Sequence, residues 1–164
     1  MVRDVLRFPD RRLKTPAVPL RSPGPAARRL ARDLQDTARS FPRTVGLAAP
    51  QIGVLWRMAY VDCTGHPKVP DAKGPLWLVN PVLEESGGAV VGREGCLSLP
   101  EITANVRRPD AITVHHLDLD GRPHVLHATG FEARVILHEM DHLDGILILD
   151  RVASLLLDVF PRRR

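Results

Sequence analysis

Residues 129–145 read Thr129-Gly130-Phe131-Glu132-Ala133-Arg134-Val135-Ile136-Leu137-His138-Glu139-Met140-Asp141-His142-Leu143-Asp144-Gly145. Phe131, Val135, Ile136, Met140 and Leu143 recur at helical spacing and predict one helix with an apolar face. Thr129 and Glu132 fit a capping box at its start. Gly145 suits the left-handed residue that follows a helix end. Inside this helix, His138 and His142 stand four residues apart, so both imidazoles share one face and can reach one metal ion. Glu139 follows the first histidine and can stand beside a water on that ion, the pattern of metal-assisted hydrolysis. The pentapeptide alone also fits an amphipathic helix with ordinary surface His and Glu.

A catalytic ion needs a third protein ligand and one open position. Cys96 offers it, in Arg93-Glu94-Gly95-Cys96-Leu97-Ser98-Leu99-Pro100. Gly95 permits close backbone approach, and Pro100 predicts a turn just beyond. A lone cysteine is also a common small buried hydrophobe. A third stretch, Thr44-Val45-Gly46-Leu47-Ala48-Ala49-Pro50-Gln51-Ile52-Gly53, is rich in small residues and carries the Gln51 amide. Taken singly it fits a buried strand and a turn.

Outward from these motifs, the pattern predicts an α+β domain of short strands around the central helix. A first helix is expected over about 25–41, opened by Pro25, with Ala27, Leu30, Ala31, Leu34, Ala38 and Phe41 on one face. Strands are expected at Val54–Val61 and at Leu76–Val79 (closed by Asn80-Pro81), with one more strand after Gly145 and before Val152. Ile112–Leu119 and His124–His127 flank the turn signal Asp120-Gly121 and predict a hairpin. Val152, Leu155, Leu156, Val159 and Phe160 predict a short amphipathic helix before Pro161.

The 164 residues predict a single domain over 1–164. Hydrophobic residues make up 44% and charged residues 26%, which excludes disorder, collagen and disulfide-scaffold classes. No apolar run approaches the ~18 residues a membrane span requires. The start MVRDVLRFPDRR has no apolar h-region, so a cytoplasmic, bacterial protein is expected over an organellar one. Cys63 and Cys96 are then free thiols or ligands. Residues 1–43 hold eleven Lys/Arg against four Asp/Glu, and 44–164 hold twelve against fifteen. Aromatic residues do not interleave with the basic ones, so no nucleic-acid motif is present. His66, His115, His116, His124 and His127 receive no role.

In order and spacing, the segments GLAAPQ, EGCLS and HEMDH closely resemble peptide deformylase, over nearly the whole chain. The resemblance implies removal of the formyl group from the N-terminal formyl-methionine of nascent polypeptides, with release of formate. It implies Cys96, His138 and His142 as ligands of one divalent ion, typically Fe2+, with Zn2+, Ni2+ or Co2+ able to replace it. It implies attack by a metal-bound hydroxide, with Glu139 as general acid/base. It implies the Gln51 side chain and the Leu97 backbone N–H as donors to the developing oxyanion, and Gly46 as a backbone contact for substrate. Val45, Phe131 and Val135 match walls of a methionine pocket. Three positions depart from the family pattern: Thr44, where glycine is usual, Thr103, where a longer residue is common, and Arg134, where an apolar pocket residue is common. The nascent peptide is the implied partner. The short basic tail Arg162–Arg164 leaves contact with the ribosome surface open. Three other readings compete: a closed four-ligand zinc module that adds Cys63, a relative that binds without hydrolysing, and an ordinary zinc peptidase.

Overall fold

A computed structural model of the chain describes residues 1–163. Its elements, in chain order, are α1 (Pro25–Arg39), β1 (Gly46–Ala48), β2 (Met58–Val61), β3 (Leu76–Gly87), β4 (Val90–Cys96), β5 (Leu99–Arg108), β6 (Ala111–Leu117), β7 (Pro123–Thr129), α2 (Gly130–Leu143), α3 (Ile148–Arg151) and β8 (Val159–Pro161). The architecture is the expected α+β. Two antiparallel sheets form, one ordered β1-β2-β3-β6-β7 and one ordered β4-β5-β8.

Pro25 opens α1 because the missing N–H is no loss in a first turn. Ala27, Leu30, Ala31, Leu34 and Ala38 then bury against Leu47, Met58, Tyr60 and Val79 of the larger sheet. Each fully buried leucine contributes about 2 kcal/mol by removal from water. The helix ends at Arg39, two residues before the predicted end.

Between the two sheets lies α2. Ala133, Val135, Ile136, Leu137 and Met140 pack with Leu78, Ile112, Val114 and Leu126 of the five-stranded sheet. Arg134, His138, Asp141 and His142 bond instead to Glu94, Cys96 and Arg108 of the smaller one. The helix starts at Thr129 as predicted, but the capping box does not form: the Thr129 side chain makes no cap bond. Glu132 instead accepts from the Lys73 backbone N–H (3.1 Å), clamping the β2–β3 loop to the helix. Gly145 is left-handed (φ 72°), as its place after the helix requires.

The Asp120-Gly121 hairpin forms between β6 and β7, with Leu117 opposite Pro123. Asp118 fastens the turn by accepting the N–H groups of Asp120 and Arg122 at 2.8 and 2.9 Å. Several expectations are corrected. The strand predicted at 54–61 shortens to Met58–Val61. The strand predicted to stop at Asn80-Pro81 continues to Gly87 through an irregularity between Val79 and Val82. Asn80 takes the left-handed conformation (φ 49°) that its short side chain tolerates. It then bonds Leu20 N and O at 2.9 and 2.8 Å. The turn predicted at Pro100 lies at Leu97-Ser98, with Pro100 inside β5.

The strand expected between Gly145 and Val152 does not form. Asp150 accepts the Leu147 N–H at 2.8 Å and draws Ile148–Arg151 into one helical turn. The amphipathic helix predicted at 152–160 is also absent. Ser154 and Asp158 close a turn through their side chains, since such residues compete with helical backbone bonds. Leu155, Leu156 and Leu157 are left exposed, and Val159–Pro161 joins β5 as β8. Arg164, the end of the predicted basic tail, lies outside the described residues.

Candidate metal centre and active site

The β4–β5 hairpin presents Cys96 at its tip, just before the two-residue connection Leu97-Ser98. Across from it, α2 presents His138 and His142. One donor atom from each of the three lies within 4.8 Å of the other two, the sole such cluster among the described residues. Cys96 Sγ is 3.3 Å from His142 Nε2. His138 directs Nδ1 to Glu94 Oε1 at 2.9 Å. An ionised carboxylate accepts only, so that nitrogen carries the proton and Nε2 is left to ligate.

Donor chemistry fits a divalent ion with thiolate and imidazole ligands. Burial alone would push the Cys96 thiol up, yet the adjoining imidazoles hold it well below the ordinary thiol range. Two buried atoms, His142 Nδ1 and Glu139 Oε2, have no hydrogen-bond partner. Glu139 lines the cleft over the cluster, and an unpartnered buried oxygen there costs free energy until something polar meets it. The cleft floor therefore suits a polar occupant. His142 Nδ1 lies on the ring edge opposite the Nε2 that faces Cys96 and has no part in this. Burial raises the Glu139 carboxyl to about 6. Its Oε1 would stand 2.6 Å from a Cβ added to Gly46, so glycine alone lets β1 pass this close.

The Gln51 side chain sits on the turn after β1. Its Oε1 accepts the Ala48 N–H at 3.0 Å, which fixes the amide orientation. Nε2 then points at Ser98 Oγ (3.1 Å) and Cys96 Sγ (3.6 Å). A cleft of about 410 Å3 opens over the cluster, lined by Val45, Gly46, Gln51, Leu97, Phe131 and Val135 among others. The structure thus brings every predicted site residue to one place. It stacks His66 flat on Phe131, with ring centres 4.3 Å apart, so a histidine assigned no role props a cleft wall. Cys63 is buried elsewhere, among Leu78, Ile112 and Ala133, and stands apart from the three-donor cluster.

A buried charge network escaped the sequence reading. Glu94 accepts from Arg108 Nε (2.6 Å) and Nη2 (2.9 Å), from Arg134 Nη1 (2.7 Å) and from His138. Arg108 also reaches Asp141 (2.9 Å), which Arg151 closes from the far side. Burial opposes ionisation of Glu94, but the His138 and Arg108 contacts hold it down at about 2. The available signal was spacing: Glu94 shares a strand face with Cys96, and Arg134, His138 and Asp141 share a helix face. Arg134, a departure from the family pattern, donates to Glu94 and to the carbonyls of Val106 and Val90 (each bond 2.7 Å).

Comparison with known proteins follows this geometry. The model of the family described as polypeptide deformylase matches residues 2–157. Peptide deformylase 2 of Gloeobacter violaceus is 47% identical over 128 residues, 77% of this chain and 66% of that one. Peptide deformylase of Thermomicrobium roseum is 44% identical over 152 residues, 92% of this chain and 86% of that one. Among solved structures, the peptide deformylase of Ehrlichia chaffeensis superposes with a TM-score of 0.88 at 29% identity, over 95% of this chain and 90% of that one.

Proposed function

Because the chain belongs to the polypeptide deformylase family, a family of enzymes, we propose that it hydrolyses the formyl amide of N-terminal formyl-methionine peptides, with residues 1–164 forming one catalytic domain. Cys96, His138 and His142 would hold one divalent ion, Fe2+ by preference, with Zn2+, Ni2+ or Co2+ as substitutes. When bound, the ion supplies a Lewis acid that makes water more acidic and polarises a carbonyl. The observation that carries this reading is the three-donor cluster with the unpartnered Glu139 carboxylate at the cleft floor.

The chain's own groups divide the work. Glu139 takes a proton from the attacking water and delivers it to the amine nitrogen as the C–N bond breaks, releasing formate and a free N-terminus. Gln51 Nε2 and the Leu97 N–H donate to the formyl oxygen as it gains charge. Each preorganised donor of this kind contributes about 3 kcal/mol. Gln51 must first share a proton now directed at Ser98. Gly46 offers backbone to the peptide, and Val45, Phe131 and Val135 enclose the methionine side chain. The expected setting is the cytoplasm of a bacterium, with the nascent peptide as partner. No helix of the described residues is long and apolar enough to cross a membrane.

The test is formate release from a formyl-Met peptide by protein purified without oxygen, with bound metal measured in parallel. Glu139→Ala should keep its metal and lose turnover by several orders of magnitude. Near-normal turnover in that variant would refute the assignment. Equal cleavage of unformylated peptides would favour an ordinary peptidase.

A further inference from the structure

Four arginines ring the mouth of the cleft. Arg43 precedes β1, Arg93 lies on β4, and Arg162 and Arg163 follow β8; all are exposed and all line the cleft. Among the described residues none of the four pairs with a carboxylate, whereas the nearby Arg108, Arg134 and Arg151 all do. The deformylase chemistry proposed above uses none of the four.

The rim is held in shape. Arg93 lies 3.7 Å over the ring centre of Phe160 and donates to Asn105 Oδ1 at 2.9 Å and Thr103 Oγ1 at 3.4 Å. Pairing of β8 with β5 sets Phe160 opposite Thr103, so the departure at Thr103 serves as an arginine rest. The Arg162 N–H bonds the Glu101 carbonyl at 2.8 Å. Its Nη2 stands 2.0 Å from where a Cβ on Gly95 would be, so glycine beside Cys96 makes room for the guanidinium. Arg43 adopts a left-handed backbone (φ 64°) that costs a non-glycine residue. The concentration of charge is local, since residues 44–164 hold twelve Lys/Arg against fifteen Asp/Glu.

A peptide with its formyl end at the cleft floor leaves through this mouth. At about 3.3 Å per extended residue, the residues that follow the formyl-methionine, from the second onward, are the ones that pass the rim. We propose that the four arginines form a specificity subsite for acidic side chains, so that formyl-Met peptides with Asp or Glu at positions two to four are preferred over those with Lys or Arg. The subsite rests on the deformylase reading.

The test uses the metal-loaded full chain and the peptides formyl-Met-Ala-Glu-Ser, formyl-Met-Ala-Gln-Ser and formyl-Met-Ala-Lys-Ser, with the charge also moved to positions two and four. At low salt, kcat/KM for Glu should exceed that for Gln about fivefold, with Lys below Gln, as for one exposed ion pair at the upper end of its range. The preference should fade near 1 M salt, where the screening length is about 3 Å. The double variant Arg162→Gln, Arg163→Gln should bring the Glu-to-Gln ratio toward one, through KM rather than kcat. Arg43→Gln should do the same from a separate segment. Equal kcat/KM for all three peptides overturns the subsite and leaves the deformylase reading standing. Hydrolysis of no formylated peptide overturns both. Charge-blind turnover with salt-sensitive binding of ribosomal RNA that the double variant loses assigns the rim to RNA phosphates, and overturns the peptide subsite.

Discussion

Glu94→Gln changes one charge and almost no volume, in a place where the charge is heavily used. The carboxylate is nearly sealed from water and accepts four hydrogen bonds, two from Arg108 and one each from Arg134 and His138. Glutamine replaces one acceptor oxygen with an NH2 group facing those donors. Whichever oxygen is replaced, Arg108 loses one of its two bonds to residue 94 and the charge that paired with it, keeping Asp141 as its carboxylate. Loss of Oε2 leaves Arg134 only its two backbone carbonyls, and loss of Oε1 leaves His138 Nδ1 without its acceptor. Removing one partner of a buried ion pair costs about 3–5 kcal/mol, a large part of the ~5–15 kcal/mol that holds a domain folded. At ~2–4 °C per kcal/mol for a chain of this size, the melting temperature should fall by roughly 6–20 °C. His138 would exchange its carboxylate acceptor for a neutral amide, and weakening the group that fixes a ligating ring typically lowers metal affinity ~10–100-fold. Thermal unfolding of the metal-free protein reads the first effect, and competition with a chromophoric chelator reads the second. Glu84→Gln is the control, because the Glu84–His115 pair is half-exposed and should shift stability by no more than ~0.5 kcal/mol. A melting temperature for Glu94→Gln within the control's range, with metal affinity unchanged, would refute the view that Glu94 organises this centre.

Other outcomes are equally concrete. Gly46→Ala places a methyl group against the Glu139 side chain, 2.6 Å from Oε1, so kcat/KM should fall about a hundredfold from a misplaced acid/base group, while circular dichroism stays native. Cys63→Ser should leave metal content at one ion per chain and lower stability by ~1–3 kcal/mol for a buried hydroxyl; loss of the metal would restore the four-ligand reading. Asp10 is held at about 2 by hydrogen bonds from the Arg12 side chain and backbone. Its folded value lies below the unfolded one, so its contribution to stability is present above about pH 4 and is lost as pH falls toward 2. Carboxyl-carbon NMR should show Arg12→Met titrating nearer the ordinary carboxylate value.

Elements set by local signals were legible. Pro25 and the alanine–leucine stripe marked α1, and Asp120-Gly121 marked the β6–β7 turn. Errors arose where side chains or distant strands decided the backbone. Asp150 folded the end of an apolar Ile-Leu run into a helical turn, and Ser154 with Asp158 closed a loop over a run with helical period. Nothing local shows that Val159–Pro161 will find β5. At the site, the ligand candidates came from motifs with a chemical rationale. Glu94, Arg108 and Asp141 did not, because charged residues are read as solvated until a fold buries them together.

The sulfur of Cys96 is separated by 46 residues from the ring of His142, and by 45 from the amide of Gln51. Groups so far apart in sequence meet only when the β4–β5 hairpin, α2 and the turn after β1 have packed together. On the ligand set proposed above, chelation would therefore work as an inspector's stamp on the finished tertiary structure. A half-built molecule presents at most two imidazoles on a helix that lacks its supports, which is too weak a trap to scavenge ions from its surroundings.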